Sequence, residues 1–288
     1  MNTNFIMKPK NDYVFKKIFG DEKNKDILIS FLESTLNRKI SDVRIQNGEL
    51  TKENISDKKS ILDIRATIDE KIEAEIEIQL SRTIYMPARS LYYWSKIYCE
   101  QLKIGDEYRK LKKTICINIV DFEVTESKKY HSVYRLKELE EEFELTDKME
   151  IHFIEIPKLK GYLKEDNLSQ WIKFINSSSE SEMRNMAVLN ENIDKALEIL
   201  MRMSQSDEER AAYLSREMAL HDEATKLEEA REEGIEHGRE QGIEQTKIEN
   251  ARNLFDVLDD EAISKRIKLD LDRVKKLREE WEREQSDN

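Results

Sequence analysis

Apolar and polar residues alternate along two adjacent stretches of the chain. Positions 62, 64, 66 and 68 are apolar, and so are 72, 74, 76, 78 and 80. A period of two on both arms predicts two half-buried β-strands. Asp69-Glu70-Lys71 would form the turn between them. With a three-residue turn, Asp63 falls opposite Glu77 and the apolar faces stay together. A slip of one residue would turn one apolar set to the wrong face. The odd positions then place Asp63, Glu75, Glu77 and Gln79 on the opposite face.

The flanking pattern is helical on the N-terminal side. Phe15, Ile18 and Phe19, then Ile27, Leu28, Phe31, Leu32 and Leu36, follow helical spacing over residues 11–36, with Gly20-Asp21 as a break. Residues 40–50 predict a short strand and connector. Pro87 suits a helix start. That helix is expected from Ala88 to about Lys103, with Leu91, Trp94, Ile97, Tyr98 and Leu102 on one face and Gly105 as its stop. The apolar run ending at Val120 predicts a central buried strand, parallel to the one before the helix. Residues 149–156 predict a further strand, and residues 133–143 a polar connection. Helices are expected over 167–175, 183–200 and 207 to about 233. The run from 227 to 245 is nearly all charged and repeats Glu-Gly at 233–234, with further glycines at 238 and 242. Each glycine costs a helix about 1 kcal/mol, which predicts a marginal helix or a hinge. An amphipathic pattern returns over 247–282.

Charged residues make up 38% of the chain, well above the usual quarter, and they concentrate in this C-terminal third. The net charge of −12 argues against nucleic-acid binding over the whole surface but leaves room for a local basic path. Seven glycines and three prolines disfavour a loop-rich all-β fold. Cys99 and Cys116 both lie in apolar patterns and read as buried free thiols of a reducing compartment. No stretch approaches the roughly 18 apolar residues of a membrane span, and the N-terminus has no secretory pattern. The expected location is the cytoplasm, with no membrane partner.

The carboxylates at 63, 75 and 77 have two readings. Alternating glutamates often form a solvated or edge-protecting strand face, balanced here by Arg65, Lys71 or Arg82. Alternatively, Asp63 and Glu77 hold a divalent cation. Magnesium takes hard oxygen ligands and usually only one or two carboxylates. Such a cation polarises a phosphoryl oxygen and acidifies a bound water. Gln79 on the same face could orient that water, although an amide is too weak a base to take its proton.

Several segments in order carry a family resemblance: residues 11–20 and 28–32, Leu62-Asp63 followed by Ile76-Glu77-Ile78-Gln79, Arg89-Ser90-Leu91-Tyr92-Tyr93-Trp94, the strands at 115–119 and 151–156, and the Glu-Gly repeat at 232–244. This set resembles the PD-(D/E)XK nuclease superfamily, and within it the Rpn family of recombination-promoting nucleases and related transposases. The resemblance implies an α/β, restriction-endonuclease-like core, a mixed central sheet flanked by helices, with a helical C-terminal extension. It implies a metal-dependent DNA endonuclease using Mg2+, with Mn2+ or Ca2+ as other options, and a link to recombination, mobile elements or phage defence. Asp63, Glu77 and Gln79 carry over as catalytic residues, Asp63 and Glu77 as metal ligands. Two departures stand out: Leu62 replaces the motif's proline, and Gln79 replaces its lysine. Arg89 or Lys96, seven apart on the next helix, are candidates for the missing cation, and Glu75 for an accessory ligand.

The expected organisation is a nuclease-like core over 1–160, a helical extension over 161–226, the charged glycine repeat over 227–246 and a C-terminal helical segment over 247–288. The last helices are candidates for a homo-oligomer contact. Lys16, Lys17, Lys112 and Lys113 are candidate contacts to the DNA backbone, or solvated lysines. The four histidines lack ligand spacing. A second function class remains open on the missing lysine: a catalytically silent nuclease fold that binds DNA or protein.

Overall fold

A computed structural model describes residues 5–46, 63–162 and 164–286. The start of the first predicted hairpin arm, Ile61-Leu62, and residues 47–50 of the predicted connector lie outside them. The chain divides into two compact units, Met1–Met218 and Ala219–Asn288.

The first unit opens with α1 (Asp12–Phe19) and α2 (Lys25–Leu36). Asn11 caps α1 by accepting the Tyr13 N–H, and Asn37, in the left-handed region at φ 50°, ends α2. Strand β1 (Val43–Gln46) leads to the hairpin β2 (Ile64–Ile68) and β3 (Ile72–Gln79), and then to helix α3 (Met86–Cys99). Strands β4 (Lys113–Val120), β5 (His131–Tyr134) and β6 (Met149–Glu155) complete one sheet of order β1-β2-β3-β4-β6-β5. The β1-β2-β3 part is antiparallel, β3-β4-β6 is parallel, and β5 runs antiparallel on the edge. Helix, three strands, helix and strand therefore follow in the expected order.

The hairpin register pairs Ile68 with Ile72 and Ile64 with Ile76. Its turn holds Asp69 and Glu70 at φ 48° and 57°. Such backbone costs a non-glycine residue about 1–2 kcal/mol. The Asp69 carboxylate offsets part of it by accepting the backbone N–H groups of Ser41 (2.9 Å) and Asp42 (3.0 Å).

The expected half-buried character of β3 does not hold: Ile72 to Ile78 are buried on both faces. Its even positions join a core with Phe15, Phe19, Phe31 and Trp171, and α3 with Met86 and Ile97 covers the other face. Alternation marks which face is apolar, but it does not show that a later helix roofs the polar one. Helix α3 also ends before the expected Lys103, which leaves Cys99 exposed at its last residue while Cys116 stays buried. Leu91, expected on its packed face, is 49% exposed. The polar connection at 133–143 begins inside the edge strand β5.

Helices α4 (Asn167–Asn176) and α6 (Glu191–Gln205) pack on α2, α6 also on α1, and α5 (Glu180–Ala187) packs on α4 and α6. Trp171 meets the rings of Phe19, Phe31 and Phe174 edge-on at centroid distances of 5.4, 6.3 and 6.1 Å. Helix α7 (Asp207–Arg252) contains the glycine repeat, whose residues are helical. In the second unit, the end of α7, α8 (Asp260–Ile267) and α9 (Leu271–Ser286) enclose a small core of Ala251, Phe255, Ile263, Leu269, Val274 and Leu277. No helix among the described residues is long and apolar enough to cross a membrane.

Candidate active site

The β2–β3 pairing, continued one residue beyond Ile64 and Ile76, sets Asp63 opposite Glu77. Asp63 is anchored there, because its Oδ2 accepts the backbone N–H of Ile78 at 2.9 Å. Burial pushes the Asp63 carboxyl above its usual range, against the pull of that N–H and of Lys16. The Lys16 ammonium, from α1, stands 3.8 Å from Asp63 Oδ1. A cavity of about 360 Å³ beside them is lined by Tyr13, Lys16, Lys17, Gln46 and Asp63.

Glu73, Glu75 and Glu77 alternate along the face of β3 covered by α3, and each is handled differently. Glu73 is satisfied by Thr67 (3.2 Å), Gln46 (3.1 Å) and Lys112 (3.0 Å). Glu77 pairs through Oε1 with the Arg89 guanidinium, while its Oε2 has no hydrogen-bond partner among the described residues. Glu75 is wholly buried beside Cys116 on β4, whose thiol is a weak donor to it, and its oxygens meet no N–H or hydroxyl donor among the described residues. The expected counter-ion Arg65 lies across from Glu75 in the register but turns to Glu100 at 2.7 Å. Desolvation, and then repulsion from Glu77, push the Glu75 carboxyl up to about 8. Desolvation lifts Glu77 to about 7 despite Arg89.

Arg89 is the focus of positive charge. Besides Glu77, it donates to Gln79 Oε1 at 3.2 Å and lies over the Tyr93 ring at 5.3 Å. Gln79 Nε2 donates to the Ser81 carbonyl at 3.0 Å, so both ends of the amide are fixed. On the neighbouring strand, Asn118 pairs in register with Glu77 and donates to Ser90 Oγ at 2.8 Å.

Asp63, Glu75, Glu77, Gln79 and Arg89 thus come together. Of the other expected residues, Lys96 holds its ammonium 5.9 Å over the Tyr92 ring. Lys17 pairs with Glu209 (3.1 Å), Lys112 with Glu73 (3.0 Å) and Lys113 with Glu150 (2.7 Å). Of the four lysines, Lys16 is the one that faces Asp63. Its sequence signal was only a basic pair on the first helix, because the fold supplies the 47-residue separation from Asp63.

A divalent cation fits this donor set. Carboxylates crowd a desolvated spot, and a buried Glu77 oxygen lacks a partner among the described residues. No group of three or more His, Cys, Asp or Glu that could hold a metal occurs among the described residues, so a cation here would rest on Asp63 and Glu77. Two carboxylates suffice for magnesium, which keeps several waters.

The same crowding predicts a pH effect on stability. Glu75 and Glu77 hold protons to about 8 and 7 in the folded chain, above the ordinary 4.5. The folded state then binds more protons than the unfolded chain, so their contribution falls as pH rises from about 4.5 to 8. In chelator, Glu75→Gln is expected to raise Tm over the parent by an amount that grows across that window. Thermal unfolding followed by circular dichroism checks it. A parent–variant difference independent of pH would contradict this environment for Glu75.

No curated protein and no solved structure matches the chain. The family model described as PD-(D/E)XK nuclease family transposase matches residues 9–230, which include both strands of the hairpin, α3 and the helical layer of α4 to α6. Nucleases of this kind typically use divalent metals. With the match spanning most of the chain and the acidic hairpin in place, this protein belongs to the PD-(D/E)XK nuclease family of transposases.

Proposed function

We propose that the chain is a metal-dependent endonuclease that hydrolyses phosphodiester bonds in DNA. The observation carrying this reading is the convergence of Asp63 and Glu77 beside the buried Glu75. Asp63 and Glu77 would hold a divalent cation, with Mg2+ the first choice for hard oxygen donors. When bound, the cation supplies Lewis-acid stabilisation of the phosphoryl group and a more acidic water. Asp63 is kept in position by the Ile78 N–H. Gln79, fixed between Arg89 and Ser81, would hydrogen-bond the incoming water or a phosphate oxygen. Lys16 and Arg89 bring positive charge to either side of the carboxylates, the task left open by the glutamine at position 79. The transposase description of the family supports DNA as the substrate and a role in recombination or mobile elements, and a part in phage defence rests on the sequence resemblance alone.

One observation favours a second reading. Arg89 already neutralises Glu77, and a carboxylate kept in that ion pair would leave a fold that binds DNA without turnover. The two readings separate on supercoiled plasmid. Nicking that needs Mg2+ or Mn2+ supports the nuclease, and binding without nicking under either metal supports the silent module.

A further inference from the structure

The second unit lies almost wholly beyond the stretch matched by the family model, which ends at residue 230. Its last two helices are α8 and α9, joined by only Lys268, Leu269 and Asp270. Lys268 takes the left-handed conformation at φ 55°, and Ser264 Oγ donates to the Leu269 carbonyl at 2.7 Å, which closes the corner. Asp270 caps α9, its Oδ2 accepting the Asp272 N–H at 3.1 Å and the Arg273 N–H at 3.4 Å. Arg278 ties the helices together: it donates to Asp260 (2.6 Å) and to the carbonyls of Phe255 (2.7 Å) and Leu258 (2.6 Å), and it stacks on the Phe255 ring. Two helices joined by a three-residue turn over a common core match the connection of a helix-turn-helix.

Charge singles out one side of this pair. Residues 265–276 carry six basic and two acidic side chains, a net +4 in a chain of net −12. Lys265, Arg266, Lys268, Arg273, Lys275 and Lys276 are all exposed, and none forms an ion pair among the described residues. On α9, Val274 and Leu277 point into the core while Arg273, Lys275 and Lys276 lie outside it. The acids of α9 fall mainly in its second half, at 279, 280, 282 and 284. The helix therefore presents a basic N-terminal half, the part of a recognition helix that enters a DNA groove.

We propose that α8, the turn and α9 form a helix-turn-helix that sets the first two turns of α9 into the major groove of duplex DNA. Lys265, Arg266 and Lys268 meet the phosphates beside it. The B-form major groove, about 12 Å wide, admits a helix, whereas that of duplex RNA is too narrow. This inference does not rest on catalysis, because it concerns binding by a unit that contains none of the hairpin residues.

The test uses the full chain in EDTA, so that cleavage plays no part, with fluorescence anisotropy on a labelled DNA duplex over a salt series. The triple variant Arg273→Ala, Lys275→Ala, Lys276→Ala keeps good helix formers at exposed positions, and thermal unfolding verifies its fold. The inference expects at least about tenfold weaker binding, with the log Kd against log salt slope reduced by about 0.9 for each phosphate the variant no longer neutralises. Unchanged affinity and slope, or equal binding of duplex RNA by the parent, would overturn it. A chain that never nicks DNA yet shows this weakening would sink the nuclease reading and leave this one standing.

Discussion

Asp63→Asn and Glu77→Gln are each expected to lower DNA cleavage by about 10²–10³-fold, the loss typical when one preorganised electrostatic contact to a reacting group is removed. The reason is specific to the site. Each substitution keeps the shape of the side chain and removes the charge that would hold a cation. Asn at 63 retains an oxygen for the Ile78 N–H and Gln at 77 one for Arg89, and removing a desolvated charge at either position offsets the ion pair lost with Lys16 or Arg89. Activity should therefore collapse while Tm holds or rises, an outcome that separates a chemical role from a structural one. Lys16→Met, which removes a charge 3.8 Å from Asp63, is expected to lower cleavage less than either carboxylate change. Gel-based plasmid nicking with thermal unfolding on the same preparations checks all three. Parent-like rates in Asp63→Asn and Glu77→Gln would remove these residues from the chemistry.

Trp171→Ala is expected to produce the largest loss of stability among single core changes. Trp171 is fully buried and makes edge contacts with Phe19, Phe31 and Phe174. Truncating such a ring costs about 3–5 kcal/mol. Its indole N–H is buried without a partner among the described residues, and losing that orphan recovers some of the cost, so we expect about 3 kcal/mol. Trp171→Phe removes the same N–H and keeps most of the ring, so its loss should be much smaller. Urea unfolding measures both. The result also bears on organisation: if α4 belonged to a separate extension, the change would leave the sheet and α1 undisturbed.

The residues explain what could be read in advance. The hairpin register was legible because alternation on both arms and a three-residue turn permit one pairing that keeps the apolar faces together, and the structure pairs Ile64 with Ile76. The polar face was legible as a set of acids but not as a buried one, because its cover, α3, is folded onto it by the crossover to β4. Strand β5 carries no readable pattern, because four residues, His-Ser-Val-Tyr, are too short to declare a period. With it went the meeting of His131 and His152, which stack and share a hydrogen bond of 2.8 Å across β5 and β6. Histidines 21 positions apart show no ligand spacing, and only the sheet makes them neighbours. The glycine repeat was ambiguous because about 1 kcal/mol per glycine competes with flanking Glu, Arg and Gln that favour a helix. In the structure the helix prevails.

The most direct measurement is nicking of supercoiled plasmid by the parent protein and by Asp63→Asn, side by side in Mg2+, in Mn2+ and in EDTA. The account predicts open-circular product from the parent with metal, none in EDTA, and little or none from Asp63→Asn under any condition. Nicking that persists in EDTA, or that is equal in the two proteins, would contradict it.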